Sequence, residues 1–303
     1  MARQPSRARS FGSARRISDR DPVKDWSQGV SLPSIFSNHQ LFDWLDNYIV
    51  AISLALARMS GLVIVMPAFT RIGLTGMLQA AVVVVLALPL VPMVAGAVAA
   101  AHLTAILTAT LLFKEMLIGL MIGLVLGVPI WAAEAAGNML DIQRGSTAAS
   151  LFDPSATSEE GITGTLLGLV MVALYFGFGG LPLTLRTVYE SYGLWPVGSV
   201  FPPLTATAGQ FFVALLDNVI TLGLVLVAPI VIFMLLADLL LALASRAAPQ
   251  LNVFALSLNI KNLIFSSLLV LYGAFMIKYM GNDLGLLLHA GSDLETLTKP
   301  ASP

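Results

Sequence analysis

The sequence has no cysteine, which excludes a disulfide framework and a thiolate metal site. Its three histidines, His39, His102 and His289, stand far apart, so a histidine metal cluster is not expected either. Charge is scarce: 11% of the 303 residues are Asp, Glu, Lys or Arg, against about a quarter in a typical soluble domain. The net charge is -1, with Arg3, Arg7, Arg9, Arg15, Arg16 and Arg20 crowded at one end, so no general affinity for nucleic acid follows. There is no P-loop, HExxH, GxSxG or CxxC motif, and no paired-carboxylate site can be placed. An enzyme is not expected, and neither is a cofactor.

Apolar residues are abundant instead, at 57% with a mean hydropathy of +0.87, the composition of an integral membrane protein. A membrane-crossing helix needs about 20 apolar residues, and the chain offers six such segments. The first, 41–69, is interrupted by Arg58 and has Asp43 and Asp46 at its mouth. The second, 73–101, carries Pro89 and Pro92, which predict a bend or an end. The third, 103–136, holds the adjacent Lys114 and Glu115 and is expected to break at Pro129. At about 50 Å it is too long for a hydrocarbon core of about 30 Å. The fourth, 162–189, is loosened by Gly177, Gly179 and Gly180 and interrupted by Pro182. The fifth, 206–244, is longer still and contains Asp217, Pro229 and Asp238; a turn over 245–261 leads to the sixth, 262–280. Successive helical hairpins, and hence an all-α membrane protein, are the expected fold class. Residues 1–40 read as a flexible Arg- and Ser-rich tail, too long before the first apolar run for a signal peptide. Membrane lipid is a partner expected for it, since basic residues near an anionic surface contribute about 1 kcal/mol each.

Between the third and fourth segments lies GNMLDIQRGSTAASLFDPSATSEE, residues 137–160, a polar interruption with Asp141, Arg144, Asp153, Glu159 and Glu160. In lipid, irregular backbone has to be sheltered by protein or to line a wet cavity, because each unpaired N–H or C=O costs several kcal/mol. Charges inside apolar helices are costly as well, about 2.5–3.5 kcal/mol on insertion scales. Arg58, Lys114, Glu115, Asp217 and Asp238 are therefore read as buried charges for inter-helix or inter-subunit pairing, with an ion relay and snorkelling as alternatives. Lys114 and Glu115 stand about 100° apart on a helix, which argues against their being each other's partners. Gly119, Gly123 and Gly127 have the spacing that lets membrane helices approach closely, and the scattered methionines read as core.

Orientation is contradictory on this reading. Six alternate crossings from a cytoplasmic N-terminus put the 246–261 turn outside, yet that turn is basic too. The N-terminal arginines lie beyond the window over which the rule counts, so the turn has the greater weight.

Four motifs, ARMSGLVIVMPAF (57–69), FKEMLIGLMIGLVLG (113–127), GNMLDIQRGSTAASLFDP (137–154) and SRAAPQLNVFALSLNIK (245–261), resemble the FliR/SctT family in order and spacing. These are the T-type export apparatus subunits of flagellar and virulence type III secretion systems. The DIQRG and SLNIK sequences look more like the virulence and plant-pathogen branch (SctT, HrcT). The resemblance covers about 41–290 and implies an inner-membrane export-gate component that lines and plugs a channel for unfolded secreted protein substrates. It further implies R-, S-, U- and V-type subunits as partners, with 41–204 R-like, 205–290 an S-like hairpin, and 291–303 a tail. In that family the subunits form a pseudo-hexameric cone raised toward the periplasm. The pore plug loop would fall on Arg144, Gly145, Ser146, Ser150, Leu151, Phe152, Asp153 and Pro154. Partner contact at the cytoplasmic hairpin would fall on Arg246, Pro249, Gln250, Asn252 and Lys261. The alternative is an ion-coupled small-solute transporter using Glu115, Asp217 and Asp238.

Overall fold

The computed structural model describes residues 38–74, 76–99, 104–145, 161–200, 208–247, 250, 253–289 and 294. Among these there is no strand, and the fold is all-α, as the composition requires. The chain divides into two units between Leu45 and Asp46. Helices are numbered α1 to α9: Asn38–Val65, Pro67–Thr70, Gly76–Ala87, Val91–Ala99, Ala105–Arg144, Ile162–Gly177, Gly180–Leu194, Ala208–Ala247 and Val253–Asp283. Five stretches are long and apolar enough to cross a membrane: Trp44–Val65, Gly76–Ala99, Ala105–Arg144, Gly209–Arg246 and Leu256–Asp283. A sixth would be the bent pair α6 and α7.

Prolines and glycines divide the chain differently from the sequence expectation. Met66 takes an extended backbone (ψ 118°), as a residue before proline prefers, so α1 stops there and Pro67 starts α2. Pro89 sits in a single 3-10 turn, Leu88–Leu90, between α3 and α4, a tightening rather than an end. The third segment does not break at Pro129, which is buried inside α5. One lost backbone hydrogen bond is tolerable where packed neighbours hold the helix. The fourth segment is two helices bent by 73°, with Gly179 in the left-handed region at the corner (φ 78°). Pro182 lies in the first turn of α7, where a missing N–H costs nothing.

At 40 residues each, α5 and α8 would extend about 60 Å. The side chain of Thr104 caps α5 by accepting from the Leu107 N–H at 3.4 Å, and Gly145 ends it in the left-handed conformation (φ 78°). Residues 137–144, expected as loop, are therefore helix. Similarly, α8 runs to Ala247 and α9 starts at Val253, so much of the expected 245–261 turn is helical.

Helix α5 is the axis of the unit. On one side it lies against α1, where a Cβ on Gly119 would collide with the Arg58 carbonyl and one on Gly123 would come within 2.9 Å of the Leu62 carbonyl oxygen. These contacts advance together along both helices, so α1 and α5 run parallel with their backbones nearly touching. α8 is parallel to α5 as well: Phe212 and Leu216 lie beside Leu124 and Val128, and further on a Cβ on Gly223 would meet the Ala132 carbonyl oxygen at 2.9 Å. α6 runs the opposite way, with Thr163 beside Asp141. The C-terminal ends of α5 and α8 thus lie together with the N-terminal ends of α6 and α9. The start of α1 in this unit lies at the other end. The basic ends of α8 and α9 and the Asp46 end of α1 thus lie at opposite ends of the unit, the arrangement that an odd number of crossings between them requires.

Gly119→Val should separate α1 from α5, at a cost of about 1–3 kcal/mol typical of overpacking. Gly96→Val, where nothing lies within 4 Å, is the neutral control. Thermal melts of the two variants should differ by several degrees; equal melts would contradict the close α1–α5 approach.

Candidate functional site

Two polar stations are built on α5, one near each end. At the first, the helix approach at Gly119 brings Arg58 of α1 onto Glu115 of α5. Arg58 Nε donates to Glu115 Oε2 at 2.5 Å, its NH1 to Ser191 Oγ at 2.8 Å and its NH2 to the Trp195 carbonyl at 3.1 Å. The guanidinium stacks 3.5 Å above the Tyr192 ring centroid. Both Arg58 and Glu115 are 0% exposed. Lys114 nevertheless reaches Glu115, with Nζ 2.9 Å from Oε1, although their stems diverge by about 100°. A lysine stem is long and flexible enough to curl back, which the angle between stems does not capture. Its ammonium also donates to the carbonyls of Pro196, Val197 and Ser199 at 2.9–3.0 Å. Two cations share one carboxylate, and the excess positive charge rests on four backbone carbonyls of the connector 195–199 that follows α7.

The second station is at the root of the polar stretch. Asp141 is 1% exposed and points at the first turn of α6. Its carboxylate accepts from Thr163 N–H at 2.9 Å, Thr163 Oγ1 at 2.6 Å and Gly164 N–H at 3.3 Å. The N-cap position itself is Gly161, which has no capping side chain, so a carboxylate from another helix supplies what the sequence omits locally. Arg144 closes the ring, with NH2 2.7 Å from Asp141 Oδ1 and its guanidinium 4.8 Å above the Phe265 ring. Asp141 thus ties the residues just before 146–160 to those just after. A third pair, Asp238 Oδ2 and Lys261 Nζ at 2.6 Å, joins α8 to α9, and Lys261 also donates to the Gln143 carbonyl at 3.1 Å.

The structure therefore brings together Arg58, Lys114 and Glu115 at one station, and Arg144, Gly145, Asp238 and Lys261 around the other. Asp217 is exposed on α8, and Arg246 and Gln250 are exposed at the hairpin. Ser146, Ser150, Leu151, Phe152, Asp153, Pro154, Pro249 and Asn252 lie outside the described residues. Asp141, Thr163, Ser191, Tyr192 and the 195–199 carbonyls are the structural partners that sequence reasoning missed. The one local signal was Asp141, three residues before Arg144 and so on the same helix face. Among the described residues no cluster of three or more His, Asp or Glu could hold a metal ion.

Removing Glu115 alone would leave two buried cations side by side, so Glu115→Ala should cost about 3–5 kcal/mol. The triple variant Arg58→Met, Lys114→Met, Glu115→Leu should recover much of the loss, because no unpaired charge remains. Thermal melts of the purified protein in detergent check both; a single variant as stable as the parent would contradict the buried network.

Residues 49–286 match the family described as bacterial export proteins, family 1. Over 161 residues the chain is 38% identical to the Yop proteins translocation protein T of Yersinia pestis, covering 53% of this chain and 62% of that protein. It is 32% identical over 158 residues to the secretion system apparatus protein SsaT of Salmonella typhimurium, 50% of this chain and 59% of that one. The flagellar biosynthetic protein FliR of Bacillus subtilis is 27% identical over 169 residues, 55% of this chain and 65% of that one. The aligned stretch spans less than two thirds of each of these relatives. The family match, by contrast, runs through both polar stations and every helix that carries them, and on that ground the chain belongs to the bacterial export proteins of family 1, the FliR/SctT type III export family.

Proposed function

We propose that this chain is an inner-membrane export-gate component of a type III protein secretion system, in which residues 144–160 plug a channel for unfolded protein substrates. Relatives named as translocation, secretion apparatus and flagellar biosynthetic proteins support an export role, and those named for secretion show the higher identities. The observation that carries the plug is the Asp141 clasp. A polar segment whose two roots are pinned by one buried carboxylate is held at a fixed place on the end of the unit, while the segment between carries glycine, serines and Pro154. Leu151 and Phe152 would supply its apolar seal. Energy for export is supplied by other subunits.

The partners are R-, S-, U- and V-type subunits. Large apolar surfaces on α8 and α9 suit a hetero-oligomer, and the exposed Arg246 and Gln250 with Asn252 would contact the U-type subunit at the cytoplasmic side. The transporter alternative has less support. Glu115 is ion-paired with two cations, Asp238 is paired with Lys261, and Asp217 is exposed, so its three acids do not converge on one ion site.

Deleting Ser146–Thr157 should leave assembly intact and make resting membranes leaky to ions; normal assembly with an unchanged leak would overturn the plug. Substituting Gln250 and Asn252 together should weaken crosslinking to the U-type subunit, and parental crosslinking in that variant would remove the hairpin from the docking surface.

A further inference from the structure

The α8–α9 hairpin is thinly held. Only 28% of the most apolar window of α8 and 11% of that of α9 are buried within the unit. What holds α9 near its start is a polar face of distinct composition. Ser257, Leu258, Lys261 and Phe265 recur at spacings of one, three and four, the pattern of one helix face. Each meets a partner. Ser257 Oγ donates to Asp238 Oδ1 at 3.0 Å, and Phe265 lies beneath the Arg144 guanidinium. Leu258 abuts Gly145 so closely that a Cβ there would come within 2.6 Å of its methyl carbon. Lys261 bridges Asp238 and the Gln143 carbonyl, which is among the last four carbonyls of α5 and has no intrahelical partner. A cation on that carbonyl also sits at the negative end of the α5 dipole.

Apolar contact between α8 and α5 is non-directional and would permit the hairpin to slide or rotate, whereas a lysine bonded at once to a carboxylate of α8 and a carbonyl of α5 permits one register. We infer that Lys261 and Asp238 are positioning residues that lock the α8–α9 hairpin to the C-terminal end of α5, so that a subunit docking on the hairpin acts on the root of residues 146–160. This deepens the gate reading above and rests on it. The clasp is the mechanical link between a docking face and the plug: withdrawing Lys261 from Gln143 frees the end of α5, and with it Arg144 and the Asp141 ring next to it.

The test uses the full chain in its assembled complex, comparing Lys261→Met, Lys261→Arg and Asp238→Asn with the Ser146–Thr157 deletion. Lys261→Met should raise the resting ion leak several-fold at unchanged subunit yield, Asp238→Asn should shift it the same way, and Lys261→Arg, which keeps the charge and the donors, should restore the parental value. Hydrogen exchange of the peptide covering 139–145 should be about tenfold faster in Lys261→Met, the equivalent of one charge-assisted hydrogen bond. If the deletion leaks while Lys261→Met and Asp238→Asn assemble and stay tight, the clasp is overturned and the plug stands. If the deletion does not leak, the plug fails, and exchange alone decides the clasp, unchanged rates overturning it. Should Lys261→Met not accumulate, Asp238→Asn carries the same two readings.

Discussion

The ion pair between Arg58 and Glu115 sets the terms for everything around it. Neither group touches solvent, and an uncompensated charge at such a site would cost several kcal/mol. The pair forms only if α1 and α5 approach until their backbones meet, which is why glycine stands at 119 and 123. Glu115 has two oxygens, and a second cation, Lys114, takes the other. One carboxylate against two cations leaves a net positive charge that needs acceptors, and the connector after α7 provides them as the carbonyls of Pro196, Val197 and Ser199. The 73° bend at Gly179 brings that end of α7 into reach. A helix contact, a bend and a connector all follow from burying one guanidinium.

The second station obeys the same rule with the signs exchanged. There the buried group is an anion, Asp141, and its acceptor capacity is filled by N–H groups from the positive end of α6 together with Arg144. Both stations thus place a charge at a helix terminus of complementary sign and finish the neutralisation with a side chain. About 26 residues of α5 separate Glu115 from Asp141, or roughly 39 Å of helix, somewhat more than a hydrocarbon core of about 30 Å. The overlong α5 is therefore three things in sequence: an approach of about ten residues, an apolar span, and a polar root.

What could be read from the sequence depended on how local its cause was. Apolar runs, the small-residue spacing at 119, 123 and 127, and the costly charges at 58, 114, 115 and 238 are each legible because composition or short-range periodicity creates them. Pro129 misled because the cost of an interior proline is offset by packing from helices far away in sequence. The Lys114–Glu115 contact was missed because stem angles ignore the reach of a flexible side chain. Asp141 was hidden for a different reason: its partners Thr163 and Gly164 lie beyond a polar stretch, and the helix it sits on continues through residues that read as loop until Gly145 stops it. The four family motifs supplied what periodicity could not, since each contains one of Arg58, Glu115, Asp141 and Lys261, residues whose purpose appears only when helices are brought together.

Among the described residues the buried charges of this unit are neutralised within it, while Asp217, Arg246 and Lys278 stand exposed on α8 and α9. Arg58, Glu115 and Lys114 satisfy one another, as do Asp141 with Arg144, Asp238 with Lys261, and Arg71 with Glu134. What remains facing outward on α8 and α9 is mostly Leu, Ile, Val and Phe. The apolar part of that surface suits lipid chains and the apolar face of another helix alike, and Asp217, Arg246 and Lys278 interrupt it. Self-contained ion pairs let the buried polar groups keep their partners whether lipid or protein covers the apolar faces.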